Sequence, residues 1–341
     1  MNLNQKMVKL IEIHSDQEQH FNHFIKEWED YNDYIEIETS GSTGRPKKIK
    51  LLKQSMRVSA TNTIEFFNLK ENDCLFLCLP LHTIAAKMMI IRAIVGKMRL
   101  VVHKPSKNPL KELNHDVKLI SLTPMQMKYV IDESFHKTSM IQNILLGGAP
   151  VDYKLEQKLK EIDSCSIFHS YGMTETASHV AIRKIDEHQS DLFNAINGVS
   201  FTQTKDGCLI INYPAFQNEK IETNDVVDLK TNDSFIWKGR KDFVINTGGV
   251  KVHAEELENV IASFFTKPFF ISSIQDSYLG SKIIMIIESK IELDDKKILA
   301  QISTLVPPYS VPKEIYYLTT FERTKSGKLN RKKSLSNVST K

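Results

Sequence analysis

The chain has 341 residues, 41% hydrophobic and 25% charged, an ordinary globular composition at a length where one core usually stops growing, so two domains are expected. Lys and Arg total 45 against 41 acidic residues; a net charge of +4 is too small to mark a nucleic-acid binder, and no nucleic-acid partner is expected. No apolar run reaches the ~18 residues of a membrane span, no signal-peptide core opens the chain, and the four cysteines include no CxxC pair and read as reduced thiols, so a cytoplasmic location is expected.

In chain order, residues 1–34 carry an amphipathic stretch with Phe21, Phe24, Ile25 and Trp28 that predicts a helix. Apolar alternation at Ile35 and Ile37, then at Ile49 and Leu51, predicts two strands joined by the loop between them. A helix is predicted over 55–67 and a buried strand over 74–79, ended by Pro80. An almost wholly apolar helix follows over 84–95, interrupted by Lys87 and Arg92. Strands at 100–103, 117–122, 143–146 and 167–169 alternate with helices starting at Pro124 and Asp152, the spacing of βαβ units. Ligands of such sheets sit beyond the carboxyl ends of the strands. From Gly207 the texture changes to short strands at 208–212, 226–229 and 235–238. An α+β unit follows, with a Thr247-Gly248-Gly249 turn, a helix presenting Ala254, Leu257, Ile261 and Phe264, and strands at 269–274, 283–288 and 314–318. The predicted fold is α/β: a large domain over 1–242 with a mostly parallel sheet and a β-rich distal part, and a smaller α+β domain over 243–341.

The stretch that carries chemistry is Thr39-Ser40-Gly41-Ser42-Thr43-Gly44-Arg45-Pro46-Lys47-Lys48. Its glycines allow close backbone approach, its hydroxyls and N–H groups can converge on one anion, and Lys47 adds charge, so it reads as a phosphate grip. The Walker spacing is absent, and a polar hairpin turn is the alternative reading of this run alone.

Five further pieces follow in order: LGGAP at 146–150, YGMTET at 171–176, TNDVVDL at 223–229, GRKDFVINTGGVKVHAEELE at 239–258 and RTKSGKLNR at 323–331. Together with the loop they resemble the adenylate-forming superfamily of acyl- and aryl-CoA synthetases. Within it, 79–95 and the LLGGAP and HSYGMTETASHV runs look most like the branch that ligates o-succinylbenzoate to CoA in menaquinone synthesis. Another aryl- or fatty-acid ligase, a carrier-loading adenylating enzyme and a non-catalytic nucleotide-binding module are the alternatives.

The resemblance implies ATP, Mg²⁺ and CoA as cofactor and co-substrates and a small carboxylic acid as partner. It assigns Thr39 to the nucleotide site, Ser40, Gly41, Ser42, Thr43, Gly44 and Lys47 to the β- and γ-phosphates, Thr174 to the α-phosphate and Glu175 to Mg²⁺. Tyr171, with Gly172, would stack on adenine beside Gly148 and Ala149, while Asp225 and Arg240 would bind ribose. Lys328 would bridge the α-phosphate and the attacked carboxylate, with Lys325 and Arg331 adding positive field. Asp242 matches the hinge about which the small domain swings, bringing Gly248, Gly249 and Lys251 toward CoA. For the substrate's second carboxylate Lys87 is the first candidate, with Arg92, Ser178 and His179 behind it; His82 stands where the superfamily carries a PxxH, here shortened to Pro80-Leu81-His82. Typical members carry a longer segment before the phosphate loop than the 38 residues here, which suggests a lost subdomain whose wall a second subunit rebuilds in a homodimer.

Overall fold

The computed structural model describes residues 9–39, 47–187, 191–216, 220–323 and 329–338. The elements run β1 (Lys9–Ile13), α1 (Ser15–Glu29), β2 (Tyr34–Thr39), β3 (Lys47–Leu52), α2 (Lys53–Phe66), β4 (Cys74–Leu77), α3 (Ile84–Val95), β5 (Arg99–Val102), β6 (Val117–Leu122), α4 (Pro124–Glu133), β7 (Ile141–Leu146), α5 (Tyr153–Lys160) and β8 (Ser166–Met173). They continue with β9 (Ser178–Ile185), β10 (Leu192–Ala195), β11 (Ser200–Gln203), β12 (Cys208–Asn212), β13 (Lys220–Thr231) and β14 (Ser234–Arg240). Last come β15 (Val244–Thr247), β16 (Val250–His253), α6 (Ala254–Ala262), β17 (Phe269–Asp276), β18 (Gly280–Glu288), α7 (Asp295–Ser303), β19 (Glu314–Leu318) and α8 (Arg331–Ser336).

One sheet of twelve described strands organises the chain as far as Arg240, in the order β1-β5-β4-β6-β7-β8-β9-β10-β14-β13-β12-β11. Its β1-to-β8 half is parallel, as the βαβ spacing predicts. Beyond β8 every neighbour is antiparallel, so the β-rich distal part is not a separate layer but an extension of the same sheet. The change of sense is forced locally: the chain returns from β8 to β9 through residues 174–177, far too short for a crossover helix.

All four residues of β4 are buried because both faces are covered. Leu75 and Leu77 join the core under α1, α2 and α3, whereas Cys74 and Phe76 point to the opposite core under α4 and α5. Helix starts are chemically marked: the Thr83 hydroxyl accepts from Ala86 N–H, Asp152 accepts from Leu155 N–H, and Thr123 with Gln126 forms a capping box ahead of Pro124. The strands predicted from Ile35 and Ile37 and from Ile49 and Leu51 pair as the β2–β3 hairpin, Ile37 opposite Ile49. After Arg240 a different sheet, β17-β18-β19, carries its own cores, Ile271, Ile283 and Met285 on one face and Phe270, Ile284 and Ile286 on the other. No described helix is long and apolar enough to cross a membrane.

Candidate nucleotide and acid site

At the end of β8, Tyr171 meets three side chains from β13 and β14: Asp225, Trp237 and Arg240. The Tyr171 hydroxyl donates to Asp225 Oδ2 at 2.7 Å, and Trp237 Nε1–H donates to Oδ1 at 3.3 Å. Asp225 and Arg240 are register partners across β13 and β14, and Arg240 Nη1 lies 3.7 Å from Oδ1. The Asp225 N–H is held by the Thr223 hydroxyl at 3.0 Å. Burial, and then the Asp225 charge, push the Tyr171 pKa well above its ordinary value, so this hydroxyl is a fixed donor. Its ring meets Phe235 edge-on, with centroids 5.1 Å apart.

The turn between β8 and β9 holds Thr174 and Glu175. It is locked by Thr176, whose hydroxyl accepts from Met173 N–H at 3.0 Å and lies 2.6 Å from the Ser178 carbonyl. Ala177 closes it at φ +56°, a left-handed conformation that a non-glycine residue adopts at a cost. A Cβ on Gly172 would fall 2.2 Å from the Ser178 carbonyl oxygen, which is why β9 can lie so close there. β3 packs on this turn, and an open cleft of about 190 Å³ lined by Ile49, Lys50, Ser55, Glu175, Phe216 and Lys220 separates them. Glu175 is exposed, and no group of three or more His, Cys, Asp or Glu gathers anywhere among the described residues. One hard carboxylate at an open turn fits Mg²⁺, which takes most of its other oxygens from phosphate and water.

Beside Tyr171, the Gly147-Gly148-Ala149 turn leans on β8: a Cβ on Gly147 would stand 2.7 Å from Ser170 Oγ, and Gly148 has φ +80°. His169 bonds the Ala149 backbone, and its Nδ1 accepts from Arg183 Nε at 3.4 Å. Burial, and then Arg183, lower the His169 pKa to about 3, so the ring is neutral. Arg183 itself is neutralised by Glu156, at 3.1 and 2.5 Å.

The first candidate for the second carboxylate already has an anionic partner in the fold. Lys87 is paired with Glu27 Oε2 at 3.3 Å and sits over the Phe24 ring, so its charge ties α3 to α1. Arg92, 1% exposed, has no carboxylate partner among the described residues. Its Nη2 donates to Ser178 Oγ at 2.8 Å, and its buried Nε has no hydrogen-bond acceptor there. Ser178 Oγ lies 3.2 Å from His179 Nδ1, and His179 Nε2 lies 3.2 Å from Thr63 Oγ1. Burial lowers the Arg92 pKa to about 10, which leaves it charged at neutral pH. His82 is exposed.

Ser40, Gly41, Ser42, Thr43, Gly44, Lys325 and Lys328 lie outside the described residues, as do the side chains of Thr39 and Lys47. Gly248 and Gly249, at φ +55° and +81°, form the two-residue turn between β15 and β16, with Lys251 exposed beyond it. Asp242 is exposed and 3.3 Å from Arg240 Nη2. Arg331 does not add free positive field: it grips Glu258 at 2.5 and 2.6 Å, an anchor for the segment that holds it. Sequence reasoning missed Trp237, Thr63, the Glu156–Arg183–His169 chain, and Glu255, whose Oε2 accepts the Arg240 N–H at 2.6 Å. Two of these had a signal, Glu255 by its place in the HAEELE run and His169 at the head of the HSYGMTETASHV run.

Comparison with known proteins gives the chain's family and fold relatives. The model of a family described as AMP-binding enzyme matches residues 13–202. A 2-succinylbenzoate–CoA ligase of Listeria monocytogenes is 25% identical over 86% of this chain and 68% of that protein. The ligase of the same name from Bacillus subtilis is also 25% identical, over 66% of this chain and 52% of that protein. Among solved structures, an acyl-CoA synthetase (AMP-forming)/AMP-acid ligase II-like protein from Dyadobacter fermentans is 30% identical, covering 94% of this chain and 95% of that one with a TM-score of 0.62. The fold is also that of the B. subtilis o-succinylbenzoate CoA synthetase in complex with ATP and magnesium, at 21% identity, TM-score 0.78, and coverage of 88% of this chain and 69% of that one. With more than half of its length matched by one family model, the chain belongs to the AMP-binding enzyme family.

Proposed function

We propose that the chain is an ATP- and Mg²⁺-dependent acid–thiol ligase that activates o-succinylbenzoate and transfers it to CoA. The observation that carries the choice of acid is Arg92, a buried cation that faces the hydroxyl of Ser178, three positions after Glu175, and no carboxylate among the described residues. Removing such a charge from water is costly unless an anion arrives to meet it. An acid with two carboxylates supplies one to be activated and one for Arg92. The names of the Listeria and Bacillus relatives support the same acid.

In the first half-reaction a carboxylate oxygen bonds to the α-phosphorus of ATP and the bond to pyrophosphate breaks. In the second, the CoA sulfur bonds to the acyl carbon and AMP leaves. The chain's part is positioning and charge neutralisation. Asp225 has a lone pair left on each oxygen for the ribose hydroxyls, with Arg240 beside it; Tyr171 and the Gly148-Ala149 backbone flank adenine. Residues 39–44 and Lys47 hold the outer phosphates, Thr174 the α-phosphate, and Glu175 would hold Mg²⁺, which supplies further neutralisation of the phosphates. Lys328 bridges the α-phosphate and the attacking carboxylate. Two domains, 1–242 and 243–341, turn about Asp242 so that Lys328 withdraws and the Gly248-Gly249 turn with Lys251 approaches CoA. Homodimerisation and a cytoplasmic location belong to the same proposal, checked by light scattering after size exclusion and by cell fractionation.

The test is acid-dependent ATP–pyrophosphate exchange followed by CoA consumption. It uses o-succinylbenzoate and the two monoacids that each lack one of its carboxylates. The wild type should prefer the diacid, and Arg92→Met should erase about a hundredfold of that preference, the scale for removing one partner of a buried charge pair. Exchange with none of these acids would refute the substrate; equal losses on all three would refute the role of Arg92.

A further inference from the structure

The chain behind Arg92 leaves no freedom in its protons. Thr63 Oγ1 is 3.0 Å from the Ser59 carbonyl, which can only accept, so the one hydroxyl proton of Thr63 is spent there. Toward His179 Nε2, 3.2 Å away, Thr63 therefore accepts, and Nε2 carries the hydrogen. His179 is 4% exposed with the Arg92 cation nearby; burial, and then that charge, hold its pKa well below the ordinary value, so the ring is neutral and Nδ1 is bare. Ser178 then donates to Nδ1 at 3.2 Å, and with its proton spent it can only accept from Arg92 Nη2 at 2.8 Å.

We infer that Thr63 and His179 are positioning residues that fix the Ser178 hydroxyl as an acceptor and thereby pin the Arg92 guanidinium, so that the pocket offers the distal anion donors from arginine alone. The inference rests on Arg92 being the anion's partner, and it adds why the guanidinium holds one orientation while its Nε has no acceptor among the described residues. A neutral group at the distal position of the acid gains nothing from Ser178, whose hydrogen is directed into the protein.

The relay is read by long-range ¹H–¹⁵N correlation on histidine-labelled protein, with His179 assigned by its loss in His179→Gln. The expected pattern is the neutral ring with hydrogen on Nε2. An Nδ1–H ring or an imidazolium at pH 7 would overturn the inference without any substrate present. Thr63→Val removes the acceptor of Nε2–H with little change of volume. It should lower the preference for the diacid about tenfold, the worth of one hydrogen bond, with exchange on the monoacids within twofold of wild type. Thr63→Ser should restore the preference. Equal losses on mono- and diacids would show a merely structural role and sink it. A wild type with the Nε2–H ring but no preference for the diacid would refute the Arg92 reading while leaving the proton relay supported.

Discussion

Replacing Asp225 with Asn tests the nucleotide site most directly. A carboxylate has about four lone-pair positions. Tyr171 takes one on Oδ2 and Trp237 one on Oδ1, which leaves one per oxygen, the arrangement that two adjacent ribose hydroxyls require. Asn keeps a single acceptor oxygen and turns an NH₂ toward either Tyr171 or Trp237, so one ribose bond is lost and the other loses its charge. Hydrogen bonds to a charged group are worth roughly 1.5–3 kcal/mol, so a total of about 2–4 kcal/mol is at stake. At ~1.4 kcal/mol per decade this is about a thirty- to a thousandfold fall in kcat/KM for ATP. Pyrophosphate exchange with ATP and its 2′- and 3′-deoxy analogues closes a thermodynamic cycle: the wild type should be penalised for each missing hydroxyl, the Asn variant hardly at all for one of them and by a smaller factor than the wild type for the other. If both enzymes lose the same factor on deletion of a hydroxyl, Asp225 does not touch the ribose.

Lys328→Ala should slow adenylation about a hundred- to a thousandfold while sparing thioester formation from supplied acyl-adenylate; equal losses in the two half-reactions would contradict the domain swing. Gly172→Ala must push the Ser178 carbonyl from 2.2 Å, so the β8–β9 turn should rearrange and urea unfolding should show a loss of several kcal/mol. Arg183→Met leaves the buried Glu156 with Lys160, 3.4 Å away, as its described cation, and the same assay should show about 1.5–3 kcal/mol of destabilisation, less than for a buried charge left unpaired. His169 should penalise folding in acid: its folded pKa of about 3 lies below the unfolded ~6.5, so the unfolded chain binds the extra proton and stability falls as pH drops from 6.5 toward 3. His169→Gln should therefore lose about 2 kcal/mol less than the wild type between pH 6.5 and pH 5.

What the sequence revealed depended on whether the signal was local. Ile35, Ile37, Ile49 and Leu51 announce β2 and β3 because alternation is a property of a single strand, and the pairing of Ile37 with Ile49 bears this out. β9 escaped because His179 and Arg183 interrupt an otherwise apolar run with buried polar groups whose partners, Thr63 and Glu156, lie elsewhere in the chain. β1 escaped because it is an edge strand with an exposed, weakly alternating KLIEI sequence. The meeting of Tyr171, Asp225 and Arg240 has no local signature and was expected only from the order of the motifs. Lys87 and Arg92 looked equivalent, two cations in one apolar helix. What separates them is Glu27, on a helix sixty residues earlier, and no periodicity in 84–95 can report it.

The contrast among the buried cations carries further than their distribution. Arg183 has Glu156, Arg331 has Glu258 and Lys87 has Glu27, and each of those pairs joins two elements of the fold. Such pairs complete their own charge balance and need nothing from solution. Arg92 is buried as deeply as any of them yet is met by a hydroxyl whose proton points away, so its charge costs the free protein stability that no described carboxylate returns. A fold tolerates a local penalty of that kind where binding relieves it, and the relief is selective: only a ligand bringing a negative charge to that depth recovers the cost, whereas a monoacid would leave the cation as it was. Discrimination between acids would then come mostly from a debt already present in the empty protein rather than from extra contacts to the correct one.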